Sequence, residues 1–222
     1  PMNVQLITKQ GEQGELPLSI PAERIGDQVT AAGIPFAIAK DGKNALRLAG
    51  QTLTLKKDTR RLALLLSADS NRILDFTVGG KTVPCSVLSR TRRFASWDLY
   101  DLHETAHIQE GQLGYVSTHS HNADGTDAIA KELYFYILIL NVQGGDTVVL
   151  PRDEETLVLA ATELNTVAVP CVTPLYDRVE DRPFDYTMRL GDKLRYLRMK
   201  LPWYMGDKGR YFSCYNRGRE RE

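Results

Sequence analysis

The run Leu133-Tyr-Phe-Tyr-Ile-Leu-Ile-Leu140 is apolar at every position. As a strand it presents apolar side chains to both of its faces, because successive residues point to opposite sides. Such a strand has to lie inside, between two layers, and its β-branched and aromatic content favours that place. Arg61-Leu-Ala-Leu-Leu-Leu-Ser67 makes the same demand: it is too short for a typical helix and reads as a strand buried on both faces. Ile34-Pro-Phe-Ala-Ile38, Ala45-Leu-Arg-Leu48 and Gln51-Thr-Leu-Thr-Leu55 are shorter, partly alternating pieces, separated by Asp41-Gly-Lys-Asn44 and Ala49-Gly50. That is the punctuation of strands.

Between Ile73 and Val87 the pattern specifies a hairpin. Leu74, Phe76 and Val78 alternate on one arm, Val83, Cys85 and Val87 on the other, and Gly79-Gly80 supplies the positive φ angles of a two-residue turn. Pro84 lacks a ladder donor and sends its arm to an edge or a bulge. Thr147–Leu150 and Thr156–Thr162 complete the series. The expected fold is all-β, a two-layer β-sandwich or jelly roll spanning residues 33–165. Residues 1–32, rich in Gly and Pro with a strand hint only at Val4–Thr8, read as a lead-in segment, and residues 89–114 as a long loop across one end of the sheet. Residues 166–222 read as an irregular basic C-terminal extension, in which Leu190, Leu194 and Leu197 have helical spacing that Gly191 weakens.

Composition narrows the function classes. Twenty-eight basic residues balance 28 acidic ones, so no overall field draws nucleic acid. No apolar run approaches the roughly 18–20 residues needed to span a bilayer. Cys85, Cys171 and Cys214 are odd in number and widely spaced, which suits a reducing cytoplasm better than a disulfide framework or a thiolate zinc site. The first residues do not read as a secretory signal. A chain that opens on Pro1 and closes on Arg-Gly-Arg-Glu-Arg-Glu222 reads as an excerpt of a longer protein.

Polar chemistry concentrates in Tyr115-Val-Ser-Thr-His-Ser-His-Asn-Ala-Asp-Gly-Thr-Asp127. On a strand, His119 and His121 share one face, a geometry that lets two imidazoles share a metal, and Asp124 and Asp127 on the following loop are available to complete the ligand set. The bland alternative is a pair of rings bonded to neighbouring carbonyls or carboxylates. His103-Glu-Thr-Ala-His107 spells the zinc-protease pattern, but it needs a regular helix, and here it reads as a polar loop. Trp97, with Asp98 beside it, and Tyr100, Tyr115, Tyr134 and Tyr136 offer aromatic faces on which a pyranose stacks; the same residues serve equally as packing. No nucleophile elbow or phosphate-binding glycine loop is present. No catalytic residue and no cofactor is therefore assigned; Trp97, Asp98, His119, His121, Asp124 and Asp127 are the ligand-binding candidates, with His119 and His121 the candidates should a metal bind.

The segments Gly33–Phe36, Asn44–Gln51, Arg61–Leu66, Thr118-His-Ser-His-Asn-Ala-Asp-Gly-Thr-Asp127, Val149-Leu-Pro151 and Leu159-Ala-Ala-Thr162 resemble the non-catalytic C-terminal region of bacterial α-mannosidases of glycoside hydrolase family 38. The resemblance covers about residues 30–165 and implies a β-sandwich similar to the galactose-binding-like jelly rolls. It also implies an accessory module that packs on a catalytic part, or self-associates, and contacts mannoside glycan. The zinc and nucleophilic aspartate of that family belong to its catalytic domain. His119-Ser-His-Asn-Ala-Asp124 places its aspartate one position late for the family's His-x-His-x-Asp, so the catalytic metal is not carried over. Two rival expectations stand beside this one: an autonomous carbohydrate-binding module working through Trp97, and a small metal-dependent enzyme using the four histidines.

Overall fold

The computed structural model describes residues 2–92, 95–100, 103–108, 111–129 and 131–166, the side chains of 95–108 excepted. The chain divides into two compact units, Pro1–Asp98 with Ala106–Val172 and Leu99–Thr105 with Thr173–Glu222; of the second unit only residues 99–100 and 103–105 are described. In chain order the strands are β1 (Ile7–Thr8), β2 (Leu18–Pro21), β3 (Gln28–Ala31), β4 (Ile34–Ala37), β5 (Leu46–Ala49) and β6 (Thr52–Thr54). Then come β7 (Arg61–Ser67), β8 (Arg72–Val78), β9 (Lys81–Val87), β10 (Ala95–Tyr100), β11 (His103–Ile108) and β12 (Gln112–Val116). The series ends with β13 (Ser120–Asn122), β14 (Asp127–Ala128), β15 (Tyr134–Asn141), β16 (Thr147–Val149) and β17 (Arg152–Leu164). None of the described residues is helical.

The organising element is an antiparallel five-stranded sheet in the order β12-β15-β7-β17-β5. On β7 the alternation sorts side chains into two cores. Leu62, Leu64 and Leu66 pack with Phe76, Val78, Val87 and Val148 of the sheet β6-β16-β8-β9. Ala63 and Leu65 pack on the opposite side with Leu6, Ile7, Ile20, Ile34 and Phe36. A bulge between Val158 and Ala160 lets β17 feed Leu157, Leu159 and Ala160 to the second core while Val158 enters the first. The expected all-β sandwich is what the described residues form, with the predicted both-face burial at β7.

The Gly79-Gly80 hairpin pairs β8 with β9 in the expected register, both glycines at positive φ, and Pro84 lies on β9, the edge strand of its sheet. Two expectations need correction. Residues 1–32 are not a mere lead-in: Val4, Leu6, Ile7, Leu16, Ile20 and Ile25 are buried in the second core, and their strands cover the outer face of the central sheet. Their glycines and Pro17 lie between strands of two to four residues, too short to show as periodicity. Residues 89–114 are not one loop either, because β10 and β11 form a two-stranded sheet and β12 starts at Gln112. The expectations for residues 167–222 lie outside the described residues.

Asn44 fixes the N-terminal strands to this body. Wholly buried, its side chain accepts from the Leu6 and Ile7 N–H groups at 2.7 and 2.9 Å and donates to the Ile7 carbonyl at 2.8 Å. Asn44→Ala orphans these backbone groups, each at about 1–3 kcal/mol when buried. The expected outcome is a loss of roughly 2–4 kcal/mol in urea unfolding, and a loss below about 0.5 kcal/mol would disprove the clamp.

Glu163 supplies a pH-dependent tie. Its carboxylate accepts from the Thr59 hydroxyl and from the Lys56 N–H, and these bonds hold its pKa below the usual carboxylate range. A depressed folded value means stability that is fully present above the unfolded pKa, about 4.3, and lost as pH falls through the folded value. Glu163→Gln should flatten the decline of unfolding free energy below about pH 4.3; an unchanged acid limb would rule this out.

Candidate functional site

Strand register gathers the polar groups. β13 lies between β2 and β14, with His121 opposite Ser19 on one side and opposite Asp127 on the other. Residues opposite one another project to the same face, so Ser19, His121 and Asp127 stand in a row. His119 precedes the strand by one residue and comes to the same side, its ring 5.7 Å from that of His121. Glu23 arrives from the turn after β2.

The two imidazoles face the two carboxylates. His121 Nε2 lies 3.3 Å from Glu23 Oε1 and 3.5 Å from Asp127 Oδ1. His119 Nε2 lies 3.9 Å from each of the same oxygens. The other ring nitrogens are occupied: His121 Nδ1 meets Thr8 Oγ1 at 3.0 Å, and His119 Nδ1 meets Thr118 Oγ1 at 3.0 Å. Behind His121 the polar chain continues, Thr8 Oγ1 and Ser19 Oγ lying 2.6 Å apart. His121 is 0% exposed, and its Nε2 makes no hydrogen bond despite the nearby carboxylates.

A shallow pocket of about 350 Å³ opens beside this cluster, lined by Arg24, Thr118, His119, Asp127 and Ile129. Tyr115, on β12, stands close enough to feel the charge of Glu23; burial first and that charge second push its phenol up to about 12, so it is a neutral hydroxyl at any ordinary pH.

The expected residues divide. His119, His121 and Asp127 come together, whereas Asp124 belongs to its own turn, its carboxylate accepting from the Thr126 N–H at 3.0 Å and hydroxyl at 2.6 Å. Those bonds hold the pKa of Asp124 below the usual range, the hydroxyl contributing most. The side chains of Trp97, Asp98, Tyr100, His103, Glu104 and His107 lie outside the described residues, although the backbone of His103–Ile108 is a strand and neither the helix of a zinc protease nor a loop. Tyr136 is only 4% exposed and packs as core, which removes it from any stacking platform. Glu23, Thr8 and Ser19 escaped the sequence reading because they sit more than 90 residues from His119 with nothing distinctive beside them. Only the β2–β13 pairing brings them in.

The family model of the AziU2-like beta-sandwich domain matches residues 2–167 of the 222. The chain belongs to that family. The match begins at residue 2 and so takes in the N-terminal strands that carry Thr8, Ser19 and Glu23. A comparison with curated proteins finds no match. Within this AziU2-like sandwich, Glu23, His119 and His121 are, among the described residues, the one group of three whose ligand atoms all lie within 4.8 Å of one another, with Asp127 flanking both rings.

The turn that carries Asp124 is held against the N-terminal segment. Gly125, at φ +84°, accepts from the Gly11 N–H at 3.1 Å, and a Cβ built there would stand 2.7 Å from the Gly11 carbonyl carbon. Gly80, at φ +79°, has open space around it. Gly125→Ala should therefore cost clearly more than Gly80→Ala, whose loss of about 1–2 kcal/mol is conformational alone. Equal losses in parallel urea titrations would contradict the close approach.

Proposed function

We propose that this chain is a non-catalytic accessory module of an α-mannosidase-like glycoside hydrolase, packing on the catalytic part and contacting mannoside glycan beside His119 and Asp127. The observation that carries the reading is the pocket at the sandwich rim: it is open, of monosaccharide size, and mixes a carboxylate, an imidazole, a guanidinium and a hydroxyl with the exposed apolar side chain of Ile129. Such a lining suits a sugar ring. Hydroxyl groups donate to Asp127 and accept from Arg24, while the C–H face of the ring lies on Ile129. The resemblance of residues 30–165 to the non-catalytic region of those mannosidases supplies the substrate class, and the three widely spaced cysteines supply the setting, a reducing cytoplasm. The mixed charge around the pocket gives no basis for nucleic-acid binding.

An accessory contact of this size binds weakly, so the test is calorimetric titration with mannose and short α-mannosides at high protein concentration. Binding with a millimolar to micromolar Kd is expected, weakened at least about tenfold by Asp127→Ala, since removing a charged hydrogen-bond partner is worth about 1.5–3 kcal/mol. Failure of every mannoside to bind would remove the glycan contact and leave the packing role alone, and release of mannose by the purified chain alone would sink the reading.

A further inference from the structure

We infer that Glu23, His119 and His121, with Asp127 flanking both rings, form a binding site for a single first-row divalent cation of the Zn²⁺ type. The inference is independent of glycan binding, because it rests on what the four side chains do to one another.

The buried ring of His121 carries the argument. If its Nδ1 holds the proton, that proton goes to Thr8 Oγ1, and Nε2 turns a lone pair toward two carboxylate oxygens at 3.3 and 3.5 Å. If Nε2 holds the proton instead, no acceptor is aligned with it, for the atom makes no hydrogen bond. In both tautomers a wholly buried nitrogen is left without a partner, an arrangement that ordinarily costs about 1–3 kcal/mol and that folds avoid unless something else completes it. A cation placed among Glu23, His119 and His121, whose ligand atoms all lie within 4.8 Å of one another, completes it, and Asp127 Oδ1 stands at its flank, 3.5 Å from His121 Nε2.

Dimensions agree with a small cation. Bonds of about 2.0–2.2 Å in tetrahedral geometry set ligand atoms roughly 3.4 Å apart. The imidazole-to-carboxylate separations are 3.3, 3.5, 3.9 and 3.9 Å. The longer pair both involve His119, the more exposed ring, which has room to adjust. Donor chemistry selects the cation: imidazole nitrogen suits Zn²⁺ and its neighbours, whereas Ca²⁺ and Mg²⁺ take all-oxygen sets. Threonine hydroxyls hold the Nδ1 atoms of both rings, the outer-shell arrangement that fixes a ligating histidine with Nε2 free. His119 and Asp127 also line the open pocket, which gives the ion a route in.

The test uses the full 222-residue chain, stripped with chelator and titrated separately with Zn²⁺, Co²⁺, Mn²⁺, Ca²⁺ and Mg²⁺, with binding read by calorimetry and the Co²⁺ complex by visible absorption. One equivalent of Zn²⁺ should bind with micromolar or tighter Kd, and Co²⁺ should give the visible bands of a low-coordinate nitrogen–oxygen site. Glu23→Gln changes an exposed side chain and His119→Ala a largely covered one at the surface, 16% exposed; both should leave far-UV circular dichroism unaltered while weakening Zn²⁺ at least 100-fold. Thr8→Val, which removes only the hydroxyl behind His121, should weaken it 10–100-fold. Substoichiometric Zn²⁺, tighter binding of Ca²⁺ or Mg²⁺, or Zn²⁺ affinity unchanged in folded His119→Ala would each overturn the assignment. Repeating the mannoside titration with and without Zn²⁺ separates the two proposals: metal without sugar upholds the cation site and removes the glycan contact, and sugar without metal does the reverse.

Discussion

A strand that is apolar on both faces has to be covered on both, and here β7, β15 and β17 are three such strands side by side. The sheet β6-β16-β8-β9 covers one face. Without the N-terminal strands the other face would expose Ala63, Leu65, Phe135, Ile137, Leu157 and Leu159. At roughly 1.5–3 kcal/mol for each large side chain, that exposure is on the order of 10 kcal/mol, comparable to the whole net stability of an ordinary domain, about 5–15 kcal/mol. The first thirty residues are thus a condition of the fold, and the buried amide of Asn44 is how they are held in register.

The polar cluster follows from that cover. Because the outer layer is assembled from pieces distant in sequence, β1 and β2 from the start and β13 and β14 from the middle, their junction brings together side chains more than 90 residues apart. β13 fits between β2 and β14 only in a register that sets His121 against Ser19 and Asp127. One residue of slip would turn His121 to the other face and scatter the group. Fold and site are therefore fixed by the same pairing.

What the sequence made legible was whatever has a local cause. Alternation at Leu74, Phe76 and Val78, the Gly79-Gly80 turn and the doubly apolar β7 each carry their own signature, and each appears where expected. His119 and His121 do face one another, but only His121 is on a strand; His119 lies in the bend just before β13, so the two-residue period did not itself set the pair. Glu23 had no such cause, sitting in a Pro21-Ala-Glu-Arg turn like many surface turns, and its role exists only through the contact of β2 with β13. Asp124 and Asp127 looked equivalent beside the histidines, but Gly125 and Thr126 close a turn that consumes the carboxylate of Asp124 and leaves Asp127 opposite His121. Turn chemistry, and not spacing, decided between them.

The site also sits where the outer layer is most composite. Glu23 belongs to the N-terminal strands, and His121 and Asp127 to the hairpin of the central segment, so whatever engages all of them ties one to the other. Strands of two to four residues make few ladder hydrogen bonds of their own, so the side chains that meet across their junction matter the more for holding them together. An occupant that binds only the closed arrangement stabilises it by mass action, and it also satisfies the buried His121 Nε2 that the protein alone leaves without a partner. Occupancy of the site and the integrity of the layer that covers the second core are in this way linked, through a nitrogen with no hydrogen bond and the strands that hold it there.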